Sequence, residues 1–280
     1  MTIADLPPLR EALDEVGLTA NKTFGQHFLL DLNITHKIAR LAGPLEGKTV
    51  IEVGPGPGGL TRALLEAGAQ VIAIEKDRRF EPVLASLSQA AMGALHLVFE
   101  DAMTANEAAL MQRFNLPGPA SIIANLPYNV GTPLLINWLT GPFRPASMCL
   151  MFQREVAQRI VAKPGEDAYG RLAVIVQATA EAKIIMDLPA RAFTPPPKVD
   201  SAVVRLDLFT QRTPDDLLHN LQKITAAAFG QRRKMLRSSL KALGGQALCE
   251  AANLDSTCRA EEIDLAGFLR LAVVLNSASF

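Results

Sequence analysis

A β-branched run that empties straight into glycines constrains this chain more than any other feature. Thr49-Val50-Ile51-Glu52-Val53 reads as a strand by its side-chain content and continues without a break into Gly54-Pro55-Gly56-Pro57-Gly58-Gly59. Beyond the loop, Leu60, Ala63, Leu64 and Ala67 recur at helical spacing, and Gly68 ends the run. A second strand, Gln70-Val71-Ile72-Ala73-Ile74, then ends in Glu75, about 20 residues past the first glycine. Strand, glycine loop, helix and acidic strand end, in that order, describe a site for a nucleoside-containing cofactor. Backbone amides at the helix N-terminus can approach an anionic group of the ligand while Glu75 accepts from ribose hydroxyls. The spacing of Gly54, Gly56 and Gly59 also satisfies the dinucleotide fingerprint, so an NAD-dependent, hydride-transferring oxidoreductase stands as the alternative. The stiffening prolines Pro55 and Pro57 weigh against it.

Alternation of strand and helix continues down the chain. Leu95-His96-Leu97-Val98-Phe99 is a third strand and ends at Glu100-Asp101, while Ser121-Ile122-Ile123-Ala124 reads as a buried one. Residues 134–139 read as helix, 147–152 as a buried strand and 154–161 as helix, with strand candidates at 173–177 and 182–185. A final strand over 202–208 is expected to pair as a hairpin with an earlier one. The pattern predicts an α/β protein with a mostly parallel, doubly wound sheet, which binds ligands at the carboxyl ends of its strands. Asn125-Leu126-Pro127-Tyr128 stands at such an end. The Asn125 side chain and the Leu126 carbonyl can accept two hydrogen bonds, Pro127 holds that carbonyl in place, and Tyr128 offers a stacking face. Together they suit a flat heterocycle bearing an amino group; a proline turn with a core tyrosine is the plainer reading of the same residues. Asp101, on the same edge, can accept from an exocyclic adenine amine or cap the turn that follows.

Charge and composition narrow the class further. The chain has 280 residues, 49% hydrophobic and 20% charged, which places it among globular proteins of one or two domains. Its formal net charge is +0, so any surface for nucleic acid must be a local patch. Cys149, Cys249 and Cys258 lie far apart without metal-ligand spacing, which leaves neither a disulfide framework nor a metal site to expect. No basic-then-apolar start and no run of bilayer length appear, so a cytoplasmic protein is the expectation. At the N-terminus, Pro7-Pro8 with Leu9, Leu13, Val16 and Gly17 predicts a short amphipathic helix, followed by a loop over 21–31 that carries His27 and two phenylalanines.

The composition changes near Gln211-Arg212-Thr213-Pro214, beyond which no strand is expected. Residues 1–210, with an N-terminal arm over 1–31, form the expected catalytic domain, and 211–280 a small helical one. Thr213 as N-cap and Pro214 as first residue open a helix that ends near Phe229-Gly230. A second helix is predicted from Gln231 to Leu243, with Arg233, Arg237 and Lys241 on one stripe and Met235, Leu236 and Leu240 turned inward. Arg232, Arg233, Lys234, Arg237 and Lys241 meet no acid before Gly244; they form either a solvated face or a phosphate-binding one. In the proline-rich loop over 193–201, Phe193 is either a core anchor or a second wall for a flat base.

Taken together, these segments resemble the ribosomal RNA adenine N6-dimethyltransferases. The matching stretches are Phe24-Gly25-Gln26-His27-Phe28-Leu29, Glu52-Val53-Gly54-Pro55-Gly56, Glu100-Asp101-Ala102-Met103, Asn125-Leu126-Pro127-Tyr128, Gln153-Arg154-Glu155-Val156-Ala157, residues 193–203, and Phe229-Gly230-Gln231-Arg232-Arg233-Lys234. They follow the family order over nearly the whole chain. The resemblance implies a Rossmann-like class I methyltransferase fold, S-adenosylmethionine as cofactor, and a C-terminal helical domain that helps hold rRNA. It implies cofactor contacts at His27, Leu29, Gly54, Gly56, Glu75, Asp101 and Asn125, with His27 standing where many members carry asparagine. It implies catalytic roles for Asn125, Leu126, Pro127 and Tyr128, and for Phe193 as a stacking partner. The implied reaction methylates N6 of two adjacent adenosines of small-subunit rRNA, twice each, in support of subunit maturation. A large-subunit adenine methyltransferase of the resistance type shares the catalytic stretches and is the alternative within the family. The implied partner is the small ribosomal subunit precursor; no membrane is involved, and a monomer is the expectation.

Overall fold

The computed structural model describes residues 2–18 and 26–277, so Phe24, Gly25 and the loop residues 21–23 lie outside the described part. By the contacts between residues the chain divides into two units, Met1–Ala157 with Lys183–Asp207, and Gln158–Ala182 with Leu208–Phe280. The longer segment of the second starts at Leu208, close to the boundary read at residue 210. The second unit also takes in residues 158–182, which the sequence assigned to the catalytic domain.

In the first unit, strands β1 (Phe28–Leu29), β2 (Thr49–Val53), β3 (Gln70–Ile74), β4 (Leu95–Val98), β5 (Ser121–Asn125) and β6 (Ser147–Gln153) come in chain order, interleaved with helices. They are followed by β7 (Ala180–Leu188), whose first residues belong to the second unit, then β8 (Phe193–Thr194) and β9 (Ser201–Leu208). The main sheet runs β4-β3-β2-β5-β6-β9-β7. Its pairs β4-β3, β3-β2, β2-β5 and β5-β6 are parallel, and β9 lies antiparallel to β6. Every residue of β2 is buried, as a strand covered on both faces requires. The order reverses at β2: β3 and β4 lie on one side, β5 and β6 on the other. That is the switch point at which an open α/β sheet leaves a crevice.

Register sets the site. Val53 pairs with Ile74, Ile74 with Val98 and Ile51 with Ile122, so Gly54, Glu75, Phe99 and Asn125 stand level at one edge. The helix Gly59–Glu66 starts where the glycine loop ends. A separate two-stranded ribbon joins β1 to β8, with Leu29 opposite Phe193.

The second unit is helical. Residues 173–177, read as a strand, belong to the helix Arg171–Gln177. Their unbroken apolar run is buried throughout Ala173–Val176 and packs on the helix Asp215–Gly230. An all-buried helix and an all-buried strand carry the same apolar signature over so short a stretch. Thr213 does not cap the Asp215–Gly230 helix, whose N-cap is Pro214; its hydroxyl instead donates to the Ala178 carbonyl at 2.6 Å. The last helix, Leu265–Ser277, packs along the same partner.

The predicted helix from Gln231 to Leu243 is not continuous. Residues 231–235 form turns, Leu236–Ser239 a single helical turn and Lys241–Leu243 a 3₁₀ turn. Met235 pairs with Arg259 across an isolated bridge, and the amides of Leu236 and Arg237 donate to the Cys258 and Ser256 carbonyls. Those tertiary bonds take the amides that a helix would use. Leu236 and Leu240 are buried as expected, but Met235 is 42% exposed instead of turned inward.

Candidate active site

The row of strand ends opens into a cleft of about 1130 Å³, a volume that includes space open to solvent, lined by residues 26–29, the glycine loop, Glu75, Lys76, Asp101 and Asn125 through Val130. Two glycines are required here, one by its conformation and one by what approaches it. Gly54 has φ +69°, a left-handed conformation that favours glycine. A Cβ on Gly59 would fall 2.5 Å from the Leu29 carbonyl oxygen, so only glycine lets the arm cross the helix start there.

Two buried acids form the floor. Glu75 is 6% exposed; its carboxylate accepts from the Gly56 amide at 3.0 Å and from the Asp77 amide at 2.8 Å. Burial raises its pKa, and those amide bonds work against the rise. Lone pairs remain on both oxygens for hydroxyl donors. Glu52 is 1% exposed, also lines the cleft, and its Oε2 has no hydrogen-bond partner. Burial pushes its carboxyl up to about 8, and the neighbouring Glu75 adds to the rise. The sequence assigned Glu52 no role, although an acid in a strand that is otherwise wholly apolar or β-branched was the available signal.

At the rim, Asp101 accepts from Lys76 Nζ at 2.8 Å and from the Met103 amide at 2.9 Å, which hold its carboxyl below the usual range. Both readings of Asp101 are thus compatible: it closes its own turn and still offers lone pairs to an amine. Lys76 is a cleft residue that spacing alone did not single out.

The tetrapeptide faces the same space. Asn125 Nδ2 donates to the His27 carbonyl at 3.1 Å, which leaves its side-chain oxygen as the free end of the amide. The Pro127 carbonyl is taken by the Val130 and Gly131 amides, whereas no backbone hydrogen bond among the described residues ends on the Leu126 carbonyl. Two acceptors are therefore available side by side. The Leu126 side chain is buried, which anchors that carbonyl from behind. Tyr128 is half-buried, its hydroxyl 2.7 Å from Ser201 Oγ and its ring 5.5 Å from the His27 ring. His27 Nδ1 donates to the Pro195 carbonyl at 2.8 Å. Gln26, which the sequence passed over as an individual residue, ties the arm to the β3 loop by donating to Asp77 at 3.0 Å.

Phe193 is not in the cleft. It is 3% exposed and sits in the core cluster with Leu29, Leu188 and Val203, because its pairing with Leu29 turns the ring inward. Of its two readings, this placement matches the core anchor. Of the basic residues, Arg232 donates to the Asp167 and Tyr169 carbonyls and lies 3.7 Å from Glu261, so its guanidinium is committed to the protein. Arg233, Lys234, Arg237 and Lys241 are exposed.

The ribosomal RNA adenine dimethylase family model matches residues 17–277. The chain belongs to this family. It is 67% identical over 272 residues to the ribosomal RNA small subunit methyltransferase A of Phenylobacterium zucineum, covering 97% of this chain and 94% of that one. It is 66% identical to the enzyme of the same name from Caulobacter vibrioides, over 90% of this chain and 96% of the relative. Among solved structures, a dimethyladenosine transferase from Plasmodium falciparum superposes with a TM-score of 0.71 at 23% identity, over 88% of this chain and 96% of that one. The 23S rRNA methyltransferase ErmE gives 0.67 at 24% identity, over 89% and 99%. At such identities the two structures establish the Rossmann-like methyltransferase fold and nothing finer. Family membership removes the NAD-dependent oxidoreductase alternative.

Proposed function

We infer that this protein is a small-subunit rRNA adenine N6,N6-dimethyltransferase that draws its methyl groups from S-adenosylmethionine. The observation that carries the reading is the pair of available acceptors, the Asn125 side-chain oxygen and the Leu126 carbonyl, level with Gly54 and Glu75 at one sheet edge. The small-subunit relatives at 66–67% identity favour it over the large-subunit alternative.

The cleft suits the cofactor. The glycine loop leaves room beside Gly54 and Gly56, Glu75 keeps lone pairs for ribose hydroxyls, and Asp101 keeps one for the adenine amine. Glu52 Oε2, unpartnered on the floor, offers an acceptor to a cationic group. When bound, S-adenosylmethionine supplies an electrophilic methyl carbon on a sulfonium sulfur. The residues of this chain then act on the nucleophile. Adenine N6 holds its lone pair in conjugation with the ring; Asn125 and Leu126, accepting from the amino hydrogens, draw them out of plane and stabilise the charge that develops on nitrogen. Tyr128 stacks on the extruded base and fixes its approach. Positioning of this kind can contribute about 7–11 kcal/mol toward the barrier. No side chain need act as general base, since the methylated ammonium loses its proton to water. Arg233, Lys234, Arg237 and Lys241 hold rRNA phosphates in this reading, and Arg232 supports the segment that presents them.

The test is mass-spectrometric mapping of N6,N6-dimethyladenosine in small-subunit rRNA from cells with and without the protein, repeated with Asn125→Ala. Dimethyladenosine that persists without the protein, or a fully active Asn125→Ala, overturns the assignment.

A further inference from the structure

Tyr128 carries an attachment that a stacking ring does not need. Stacking uses the face of a ring, yet the Tyr128 hydroxyl lies 2.7 Å from Ser201 Oγ. Ser201 is completely buried and opens β9, where its backbone stands opposite Gln153 of β6. The residue before it, Asp200, is held twice: its carbonyl accepts from the Arg154 amide at 2.9 Å, and its carboxylate from the Ala190 amide at 2.9 Å. The hydroxyl is thus delivered from a fixed point of the sheet. The ring has a second restraint in the His27 imidazole, tilted 30° against it.

We propose that Ser201 is a positioning residue of the transfer site, whose hydroxyl anchors Tyr128 so that its ring presents one fixed face to the target adenine. This rests on the function proposed above. A tyrosine held only by packing can swing about its first side-chain torsion and carry the stacked base with it. A hydrogen bond at the far end of the ring removes that freedom where leverage is greatest. The two transfers feel the loss unequally. In the second, N6 already bears a methyl group that must be turned aside while the remaining hydrogen meets its acceptor, so the tolerance for tilt is narrower. A loosened ring therefore slows the second methylation more than the first. A serine that merely satisfied itself within the sheet would change stability without changing that ratio.

The experiment uses the full chain and small-subunit particles carrying unmethylated rRNA, with Ser201→Ala, Tyr128→Phe and the double variant. Single-turnover rates, the ratio of N6-methyl- to N6,N6-dimethyladenosine at equal methyl incorporation, and S-adenosylhomocysteine affinity are read together. The net worth of one neutral hydrogen bond predicts a rate loss of about five- to tenfold for Ser201→Ala, with monomethyl product accumulating and cofactor affinity held within about twofold. Tyr128→Phe should behave alike, and the double variant no worse than either. Wild-type rate and product ratio in Ser201→Ala overturn the anchoring, as do additive losses in the double variant or a cofactor affinity that falls with the rate. Should Ser201→Ala not fold, Tyr128→Phe decides, and a wild-type product ratio there overturns it. An active wild type with indifferent variants removes only the anchoring, whereas a wild type that leaves the adenosines unmethylated removes the functional reading itself.

Discussion

The cleft edge and the basic segment over 231–243 each gather polar side chains for a purpose, and they are held by different means. At the cleft, Gly54, Glu75 and Asn125 stand at or just past the ends of parallel strands whose register their neighbours fix on both sides. A side chain there can change while the backbone beneath it stays. In the basic segment the chain runs through turns, and bonds to residues 256–259 hold the backbone of Met235, Leu236 and Arg237. One of those cations, Arg232, is itself part of the support. Substitutions in the first region should therefore alter chemistry, and those in the second should divide between binding and folding.

The largest effect expected is at the cleft. Asn125→Ala should lower single-turnover methyl transfer by about 10²–10³-fold, the loss typical of one preorganised acceptor or donor, while S-adenosylhomocysteine affinity falls much less. Equal losses in both would break the division between chemistry and scaffold there.

Next comes a stability effect on the cleft floor. Glu52 ordinarily ionises near 4.5 and is pushed up to about 8 in the folded chain, so the unfolded chain ionises first as pH rises. Folding stability from this group falls between those two values and levels off above the upper one. Glu52→Gln removes the dependence. It should match the wild-type melting temperature near pH 4 and exceed it at pH 9 by the equivalent of a few kcal/mol. A melting difference that does not grow with pH would show that Glu52 is already charged in the folded chain.

Two smaller effects sharpen the contrast in the basic segment. Charge reversal of Arg233 and Arg237 should weaken rRNA binding on the order of tenfold or more and flatten the log–log salt dependence by about 0.7–0.9 per lost phosphate contact, with the melting temperature unmoved. Arg232→Ala should do the opposite, costing about 1 kcal/mol in denaturant titrations because two backbone carbonyls lose a half-exposed donor, while the salt slope stays put. An Arg232→Ala variant that changes the slope and not the stability would return Arg232 to the RNA surface.

The physical origin of each signal explains what could be read early. Strand, glycine loop, helix and acid are coupled within a short stretch, and so are the buried run Ser121–Ala124 and the tetrapeptide that follows it. Local steric demands, such as the left-handed Gly54, leave a mark on the sequence. Phe193 left no such mark, since an aromatic in a proline-rich loop is equally at home in a core or on a wall. Its partner Leu29 lies far away in the chain, and only the β1-β8 ribbon decided the matter. The helix over 171–177 is similar: an apolar run announces burial but not the shape of its partner.

By itself, then, the sequence determined the mostly parallel α/β sheet and which residues stand at the carboxyl ends of its strands, because each depends on contacts close along the chain or on backbone conformations few residues adopt. Tertiary structure alone decided that residues 158–182 join the helical unit, that residues 231–235 form turns in place of a helix, that Arg232 is a brace, and that Ser201 meets Tyr128. Those outcomes hinge on packing and hydrogen-bond partners that are remote along the chain, and a one-dimensional pattern holds no record of which distant carbonyl or hydroxyl will arrive.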